Sequence, residues 1–353
     1  MSVFDRVADL FRGKAISVPP LDGVWKPDTS LDEAPALAAC AQADNLVESA
    51  GRVLCSSLGA VVELAAAGPR PLFSFERPVS SLAALPDGGL AIGLDDGCIL
   101  VRGGTYDGLD LSNADASCPV AMAVEAPGTL LVAHGSAGHR PGDWARSLME
   151  KDASGSVWRY DLASKSAVCL ARDLAYPFGV LPRPDGSCIV AEAWKHRLIT
   201  IPAGGAASAR TALASLPGYP SRMAAGPDGS IWLALFAPRN RLVEFVLRED
   251  AYRRDMVREV EREHWIAPSL GGTHSFLQPL QCGGVRTMGV HKAWSPSRSY
   301  GLLARLDADL RPVASFHSRA DGSRHGITSV LPLWDRVLAT SKGAGVVLEL
   351  PTP

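Results

Sequence analysis

Three side chains have types and positions suited to acid–base chemistry. His325 stands shortly before an apolar segment, and His134 follows another one. Imidazole titrates near neutral pH, so either histidine is a candidate general base. Glu192 lies in an apolar segment, where a carboxylate needs a partner, and His196 or Arg197 is near enough in sequence to provide one. A plain loop position for each histidine and a structural ion pair for Glu192 are the alternatives.

Arg222 is the clearest candidate for ligand recognition. It follows Ser221 at the start of an apolar segment. A guanidinium pairs with a carboxylate or phosphate through two parallel hydrogen bonds, so this position predicts a small anionic substrate. The alternative is a surface arginine paired with an acid in a loop.

Composition and motifs narrow the function further. The formal net charge of −2 and the pI near 6.5 lack the basic excess of nucleic-acid binders, so we expect no nucleic-acid partner. No apolar stretch approaches the roughly 20 residues of a membrane span. Asp5 and Asp9 interrupt any secretory signal, which predicts a cytoplasmic protein. The sequence contains no Gly-x-Ser-x-Gly elbow, Gly-Lys-Ser phosphate loop or His-Glu-x-x-His pair.

One unit recurs along the chain and must position these side chains. An apolar segment, a tight turn and a second apolar segment follow one another, with turns at 86–89, 126–128, 184–187 and 227–230 and weaker copies at 50–52 and 334–336. Proline early and glycine late in such turns favour hairpins. The spacing is close to the 40 to 50 residues of a propeller blade. It predicts an all-β, six-bladed β-propeller with four antiparallel strands per blade; two sandwich domains are the structural alternative.

The unit spacing also predicts the domain organisation. We expect a single domain over 1–353, with an amphipathic helix at 1–14 and an outer strand at 15–18 that closes the ring. Insertions of loop and helix at 135–154 and 237–299 fall between second and third strands. They should cover the face where the inner strands begin, and long loops on a rigid scaffold usually carry function. That channel mouth is expected to gather the candidate side chains, which are Glu33, Phe178, Arg222, His325 and Thr328, with His134 and Trp194 pointing toward it.

Several segments resemble the strictosidine synthase-like proteins. They are 174–180 with the turn at 184–187, 216–220 before the turn at 227–229, and 326–330. The resemblance implies a six-bladed propeller, related more distantly to gluconolactonases, regucalcin and paraoxonases. Tyr219 falls in one of these segments and joins the candidate substrate-binding residues.

The resemblance also bears on cofactors. Most of those relatives are calcium- or zinc-dependent hydrolases of lactones and esters, with a Glu before the first inner strand and Asn or Asp at later strand starts as metal ligands. Glu33 matches the first ligand, but Phe178 and Arg222 stand where amide or acidic ligands are expected. The plant synthase works without metal and uses a Glu whose position here is Thr328. We therefore expect no cofactor, with calcium or another divalent metal as the alternative.

These inferences combine into one functional hypothesis. The protein is expected to act in a hydrolase-like manner on a lactone, ester or cyclic amide of a polar, anionic metabolite, without the usual metal ligands. A metal-free acid/base lyase, isomerase or condensing enzyme is one alternative, and a non-catalytic ligand- or protein-binding propeller is another. The candidate catalytic residues are His325, His134 and Glu192, and the candidate substrate-binding residues are Arg222, Trp194, Phe178, Tyr219, Thr328 and Glu33.

Overall fold

Six antiparallel sheets are arranged in a closed ring. The structure is a computed structural model that describes residues 18–205, 209–272 and 297–351, together with the backbone of 284–287 and 290–293. Its strands are β1 (Ala36–Ala39), β2 (Asp44–Ser49), β3 (Arg52–Ser57), β4 (Ala60–Ala65), β5 (Gly68–Ser74), β6 (Val79–Ala84), β7 (Leu90–Leu94), β8 (Ile99–Arg102), β9 (Pro119–Ala126), β10 (Thr129–His134), β11 (Gly155–Asp161), β12 (Ser166–Leu174), β13 (Pro177–Pro182), β14 (Cys188–Glu192), β15 (Arg197–Ile201), β16 (Arg210–Leu213), β17 (Gly218–Ala225), β18 (Ile231–Pro238), β19 (Gly284–Thr287), β20 (Val290–Ala293), β21 (Gly301–Leu306), β22 (Pro312–Ser318), β23 (Ile327–Pro332), β24 (Arg336–Ser341) and β25 (Val346–Pro351).

Each sheet is one blade of a propeller. Blade one is β2 to β5, blade two β6 to β8, blade three β9 to β12, blade four β13 to β16, blade five β17, β18, β21 and β22, and blade six β23 to β25 with β1. Blade two has three strands and an isolated bridge between Leu100 and Asp110 in place of the fourth. The inner strands β2, β6, β9, β13, β17 and β23 contact one another in that order, and β23 returns to β2. The predicted six-bladed architecture is confirmed.

The hairpin turns form for the reasons that their residues suggest. Gly186 and Gly229 adopt φ of 79° and 81°, a backbone region that glycine enters without steric cost. The preceding aspartates close the same turns, because the carboxylates of Asp185 and Asp228 accept the backbone N–H groups two residues later at 3.0 Å.

Strand β1 closes the ring, and this corrects the prediction that placed the closing strand at 15–18. The strand at Ala36–Ala39 pairs antiparallel with β25 and supplies the outer strand of blade six. Val18 lies outside any strand, and 15–17 and the predicted helix at 1–14 lie outside the described residues. The segment before β1 is held elsewhere: α1 (Ser30–Glu33) packs on β22, where Asp32 accepts the Ser318 hydroxyl at 2.9 Å.

Apolar cores lie between adjacent blades, as radial packing requires. The core between blades one and two contains Leu54 and Ile92, and the core between blades five and six contains Leu303 and Leu348, all completely buried. A further core lies beneath the insertions, where Tyr176, Tyr219 and Phe236 of blades four and five meet α2 (Trp144–Met149), α3 (Arg241–Arg248) and α4 (Asp250–Glu259). Of the described helices, none is long and apolar enough to cross a membrane.

The close approach of blades four and five at the axis predicts a stability effect. A Cβ atom on Gly179 would lie 2.3 Å from the backbone oxygen of Ser221, a contact that neither strand can relieve without moving. Gly179→Ala should therefore lower the free energy of unfolding by about 1 to 3 kcal/mol in urea denaturation. Gly204→Ala is the matched control, because its Cβ meets nothing within 4 Å. Equal stabilities of the two variants would contradict the crowding.

Candidate functional site

A cavity of about 340 Å³, here called the cup, opens on the face where the inner strands begin. Its floor comes from strand starts, including Asp44, Val120 and Thr328. Its walls come from blades four and five and from both insertions, which contribute Trp144 and Leu270. The cup therefore lies where the topology brings all six blades and both insertions together.

A β-bulge directs Arg222 into the floor of the cup. Pro220 pairs with Leu235 and Met223 with Leu233, so β17 carries one more residue than β18 over this stretch. Such an extra residue bends the strand and re-aims a side chain. Arg222 also lines a second cavity of about 300 Å³, which runs between the later parts of the inner strands. Its guanidinium group separates the two cavities.

The four terminal N–H positions of Arg222 are taken by groups of the protein itself. Nη1 donates to Asp44 Oδ1 at 2.7 Å and to the backbone oxygen of Thr328 at 3.4 Å. Nη2 donates to the backbone oxygens of Ser80 and Val120, each at 2.7 Å. The guanidinium is thus an internal hydrogen-bonding centre, so we do not assign it the anion-binding role expected from sequence.

Phe178 completes the surroundings of this group. The guanidinium carbon of Arg222 lies 4.9 Å from the centroid of the Phe178 ring, a favourable cation–π position. With Asp44 in blade one, Ser80 in blade two, Val120 in blade three and Phe178 in blade four, one side chain of blade five reaches every other blade, since Thr328 belongs to blade six.

Asp44 is the buried anion of the floor and is 2% exposed. Its Oδ2 accepts Lys342 Nζ at 2.9 Å. Burial alone would raise the pKa of Asp44, but the positive charges of Arg222 and Lys342 and their hydrogen bonds outweigh it and hold the pKa below its usual value. Lys342 keeps about a quarter of its side chain exposed and lines the cup. The floor therefore carries two cations for one carboxylate.

An aromatic wall faces this charged floor. Trp144, Tyr176, Phe178 and Phe236 line the cup. Their rings meet edge to face, with 5.3 Å between the centroids of Trp144 and Phe236 and 5.6 Å between those of Phe178 and Phe236. Such contacts fix ring positions and leave an apolar surface for a ligand.

Trp194 and Tyr219 support the wall from behind. Trp194 stacks on Tyr176 with 4.4 Å between centroids, and Tyr219 packs 5.5 Å from Phe236. Neither of the two lines the cup. Of the substrate-binding residues expected from sequence, the structure brings Arg222, Phe178 and Thr328 into the cup and places Trp194 and Tyr219 one layer away.

Asp95 ties the rim of the cup to the insertions. It follows β7 directly, and its Oδ1 accepts the backbone N–H of Gly142 at 2.6 Å. Arg262 of the second insertion donates to the backbone oxygen of the same glycine at 2.7 Å. Asp95 lines the cup, and within the described part of the chain its Oδ2 has no hydrogen-bond donor.

The two candidate histidines are enclosed outside the cup. His134 is 1% exposed, its Nε2 lies 3.3 Å from the Tyr160 hydroxyl, and burial lowers its pKa to about 3. His325 is 3% exposed, with Nε2 2.8 Å from the backbone oxygen of Arg319 and Nδ1 2.8 Å from the Ser299 hydroxyl. A carbonyl only accepts, so Nε2 carries the proton, and burial lowers the pKa of His325 as well. Both rings already have structural partners.

The acidic candidates also have partners elsewhere. Glu192 is completely buried, and its Oε2 accepts Arg197 Nε at 2.5 Å while Oε1 accepts the backbone N–H of Ala175 at 2.9 Å. Lys195 Nζ lies 2.7 Å from Oε1. Glu33 is exposed in α1 and accepts the Thr29 hydroxyl. The contacts of Glu192 are those of a structural ion pair, which is one of its two interpretations from sequence.

Sequence reasoning missed Asp44, Lys342 and Asp95. Asp44 begins the first inner strand, so it occupies the same place in blade one as Thr328 does near the start of β23. Lys342 and Asp95 directly follow the second strands β24 and β7. The rule that places Trp194 at the mouth, proximity to the end of a second strand, would have found both.

The residues present do not fit a divalent metal at the axis. The oxygen atoms that a hard cation would use are the Asp44 carboxylate and the backbone oxygens of Ser80, Val120 and Thr328. Each of them already accepts a hydrogen bond from Arg222. The positive charge of the guanidinium group would repel an added metal ion.

Comparisons with known solved structures identify the fold. No protein family and no curated protein matches the sequence. Solved structures do match: the calcium-binding protein regucalcin from Agrobacterium tumefaciens (15% identity, TM-score 0.53, 92% of this chain and 93% of that one) and a gluconolactonase from Xanthomonas campestris (13%, 0.57, 90% and 89%). A putative gluconolactonase matches at 11% identity and TM-score 0.56 over 90% of this chain and 91% of that one. The chain thus shares the six-bladed fold of regucalcin- and gluconolactonase-type structures, and the resemblance to strictosidine synthase-like proteins stays a prediction.

The buried charge of Asp44 predicts a pH-dependent stability. Asp44→Asn leaves two cations without their anion and should cost about 3 to 5 kcal/mol of unfolding free energy at pH 7. Because the folded-state pKa of Asp44 is lowered, its contribution is complete above the unfolded value near 3.9 and is lost as pH falls through the folded value.

Denaturation curves at pH 7 and at pH 3 test this expectation. The gap between wild type and Asp44→Asn should be large at pH 7 and smaller at pH 3. Asp335→Asn is the control, because Asp335 is exposed and should change stability by less than about 0.5 kcal/mol. A gap that does not shrink in acid would rule out a charge-based role for Asp44.

Proposed function

We propose that the cup binds a small lactone or ester with an apolar body and hydrolyses it without a metal ion. The observation that supports this most directly is the meeting, in one cavity, of a partly exposed ammonium group, an aromatic wall and a carboxylate with one oxygen that no described residue donates to. These are Lys342, the rings around Phe178 and Asp95. The likeness to two gluconolactonase structures supports the same class of reaction.

Lys342 is the group that would recognise the polar end of the substrate. An ammonium group has three N–H donors, and one of them goes to Asp44 Oδ2. The remaining donors can bind a carbonyl oxygen and stabilise the negative charge that develops on it when water attacks. Asp44 holds the ammonium in place from below, and Arg222 in turn holds Asp44.

Asp95 is the group that would activate water. Gly142 fixes one carboxylate oxygen, and the other is free to accept a proton. In this step the water oxygen bonds to the substrate carbonyl carbon, its proton passes to Asp95, and the bond to the ring or ester oxygen then breaks. The proton leaves Asp95 to the departing alkoxide, so no cofactor is consumed.

The aromatic wall sets the size and character of the substrate. A cavity of about 340 Å³ with four ring walls suits a compact molecule with an apolar portion, held by stacking and burial. An anionic group on the substrate would be attracted by the ammonium group of Lys342, and the Asp95 carboxylate in the same cup would oppose that attraction. Trp144 belongs to the first insertion, so that insertion contributes directly to selectivity.

Ligand binding without chemistry is the second candidate function. It is favoured by the enclosure of both candidate histidines and by the hydrogen bonds that occupy the terminal nitrogens of Arg222 and both oxygens of Asp44, which leave Asp95 as the main candidate base. The acid/base lyase, isomerase and condensing alternatives were based on His325, His134 and Glu192, and none of these three side chains lines the cup.

Two substitutions separate these functions. Asp95→Asn should reduce kcat on a panel of γ- and δ-lactones and aryl esters by about 10²- to 10⁴-fold, because the water loses its base, while ligand affinity changes little. Lys342→Met should raise KM and lower kcat together. Hydrolysis followed by chromatography and binding followed by isothermal titration calorimetry give the two measurements.

The controls are Asp335→Asn and Lys165→Met, which replace exposed side chains of the same types. Saturable binding without turnover in wild type would favour the binding function. Full activity in Asp95→Asn would eliminate Asp95 as the base, and unchanged binding in Lys342→Met would eliminate the cup floor as the recognition site.

A further inference from the structure

All six inner strands carry the same irregularity where they approach the axis. The first and second strands of each blade fall out of step by one residue, at 44–47, 79–81, 119–121, 177–179, 220–223 and 327–329. A residue at such a bulge leaves the ladder, so its backbone groups are available for another partner. Ser80, Val120 and Thr328 are the extra residues of blades two, three and six. The bulges therefore deliver polar backbone atoms to the axis in several blades.

The backbone oxygens of these three residues face one guanidinium group at the axis, and Asp44 Oδ1 faces it from blade one. All four accept hydrogen bonds from Arg222. Three neutral oxygens and one carboxylate gathered in a buried place are stable only with a positive partner, because buried acceptors without donors cost free energy. These four oxygen atoms, here called the receptor, therefore suit a single cation.

Blade four contributes an aromatic surface to the same receptor. Its extra residue is Phe178, and the ring of this side chain lies against the guanidinium at 4.9 Å. A planar cation can place its edge on oxygen atoms and its face on an aromatic ring at the same time. A spherical metal ion gains nothing comparable from the ring. The receptor therefore matches a guanidinium group in shape as well as in charge.

We propose that Arg222 is the built-in occupant of an axial cation site, and that this site accepts guanidinium-type cations when the side chain is removed. The chain carries its own cation, in contrast to a structural relative described as calcium-binding. The six blades are then held at the axis without any metal ion. This inference concerns the scaffold and does not depend on the reaction proposed for the cup.

Chemical rescue tests the receptor directly. Arg222→Ala removes the cation but keeps the ring of oxygens, so its Tm should fall by several degrees. Guanidinium at concentrations well below denaturing ones should restore part of that loss in a saturable manner, because a ligand of the native state raises apparent stability. Urea has a similar shape without the charge and should give no rescue. Wild type, whose site is filled, should show only a small loss with either compound.

Arg222→Met and Arg222→Lys distinguish the effect of the side chain's charge from the effect of its volume. They also test the proposal if Arg222→Ala does not fold. Both fill the space, but only lysine supplies a cation, so Arg222→Lys should melt at a higher temperature than Arg222→Met. Guanidinium should not rescue Arg222→Met, because the side chain occupies the site. Wild-type Tm should be unchanged by a metal chelator and by added calcium.

Several results would overturn the proposal. They are a folded Arg222→Ala that guanidinium does not stabilise, equal Tm values for the methionine and lysine variants, or a wild type that loses stability on chelation. None of these outcomes depends on activity, so a failure here is distinguishable from a failure of the proposed hydrolysis.

Discussion

The hydrogen bonds of one guanidinium group determine how the centre of this propeller is organised. Inner strands of a closed ring leave a channel, and here the channel is interrupted by Arg222, which reaches a partner in each of the other five blades. The charge of Arg222 in turn requires the buried Asp44, and Asp44 orients Lys342 at the floor of the cup. The electrostatic character of the candidate site thus follows from a contact whose first role is structural. A substitution at the axis would therefore change the cup more than the outer strands.

The described parts of the two insertions form the other half of the site, and they pack on the blades beneath them. Apolar side chains of α2, α3 and α4 share a core with the inner parts of blades four and five. Arg253 of α4 donates to the backbone oxygen of Met149 at the end of α2, and Asp95 and Arg262 both bind Gly142. The aromatic wall is consequently held from two sides, by the blades and by the insertions.

The architecture could be predicted from sequence because tight turns require particular residue types. Asp185-Gly186 and Asp228-Gly229 specify hairpins locally, and their spacing specifies blades. The closing strand was misplaced, because the alanine-rich β1 is followed by a turn at Ala41 and Gln42 that contains neither glycine nor proline.

The site was predicted less completely. Arg222 lines the cup, but its acceptors are mostly backbone oxygens, which leave no signature in residue types. The enclosure of His134 and His325 depends on packing between neighbouring strands and loops that a single sequence does not display.

Because Arg222 lines both the cup and the cavity of about 300 Å³ beyond it, its side chain interrupts the axial channel between them. In the proposed hydrolysis, substrate and product would use the same opening. Product release would then depend on the side chains of the insertions that line the cup, among them Trp144 and Leu270.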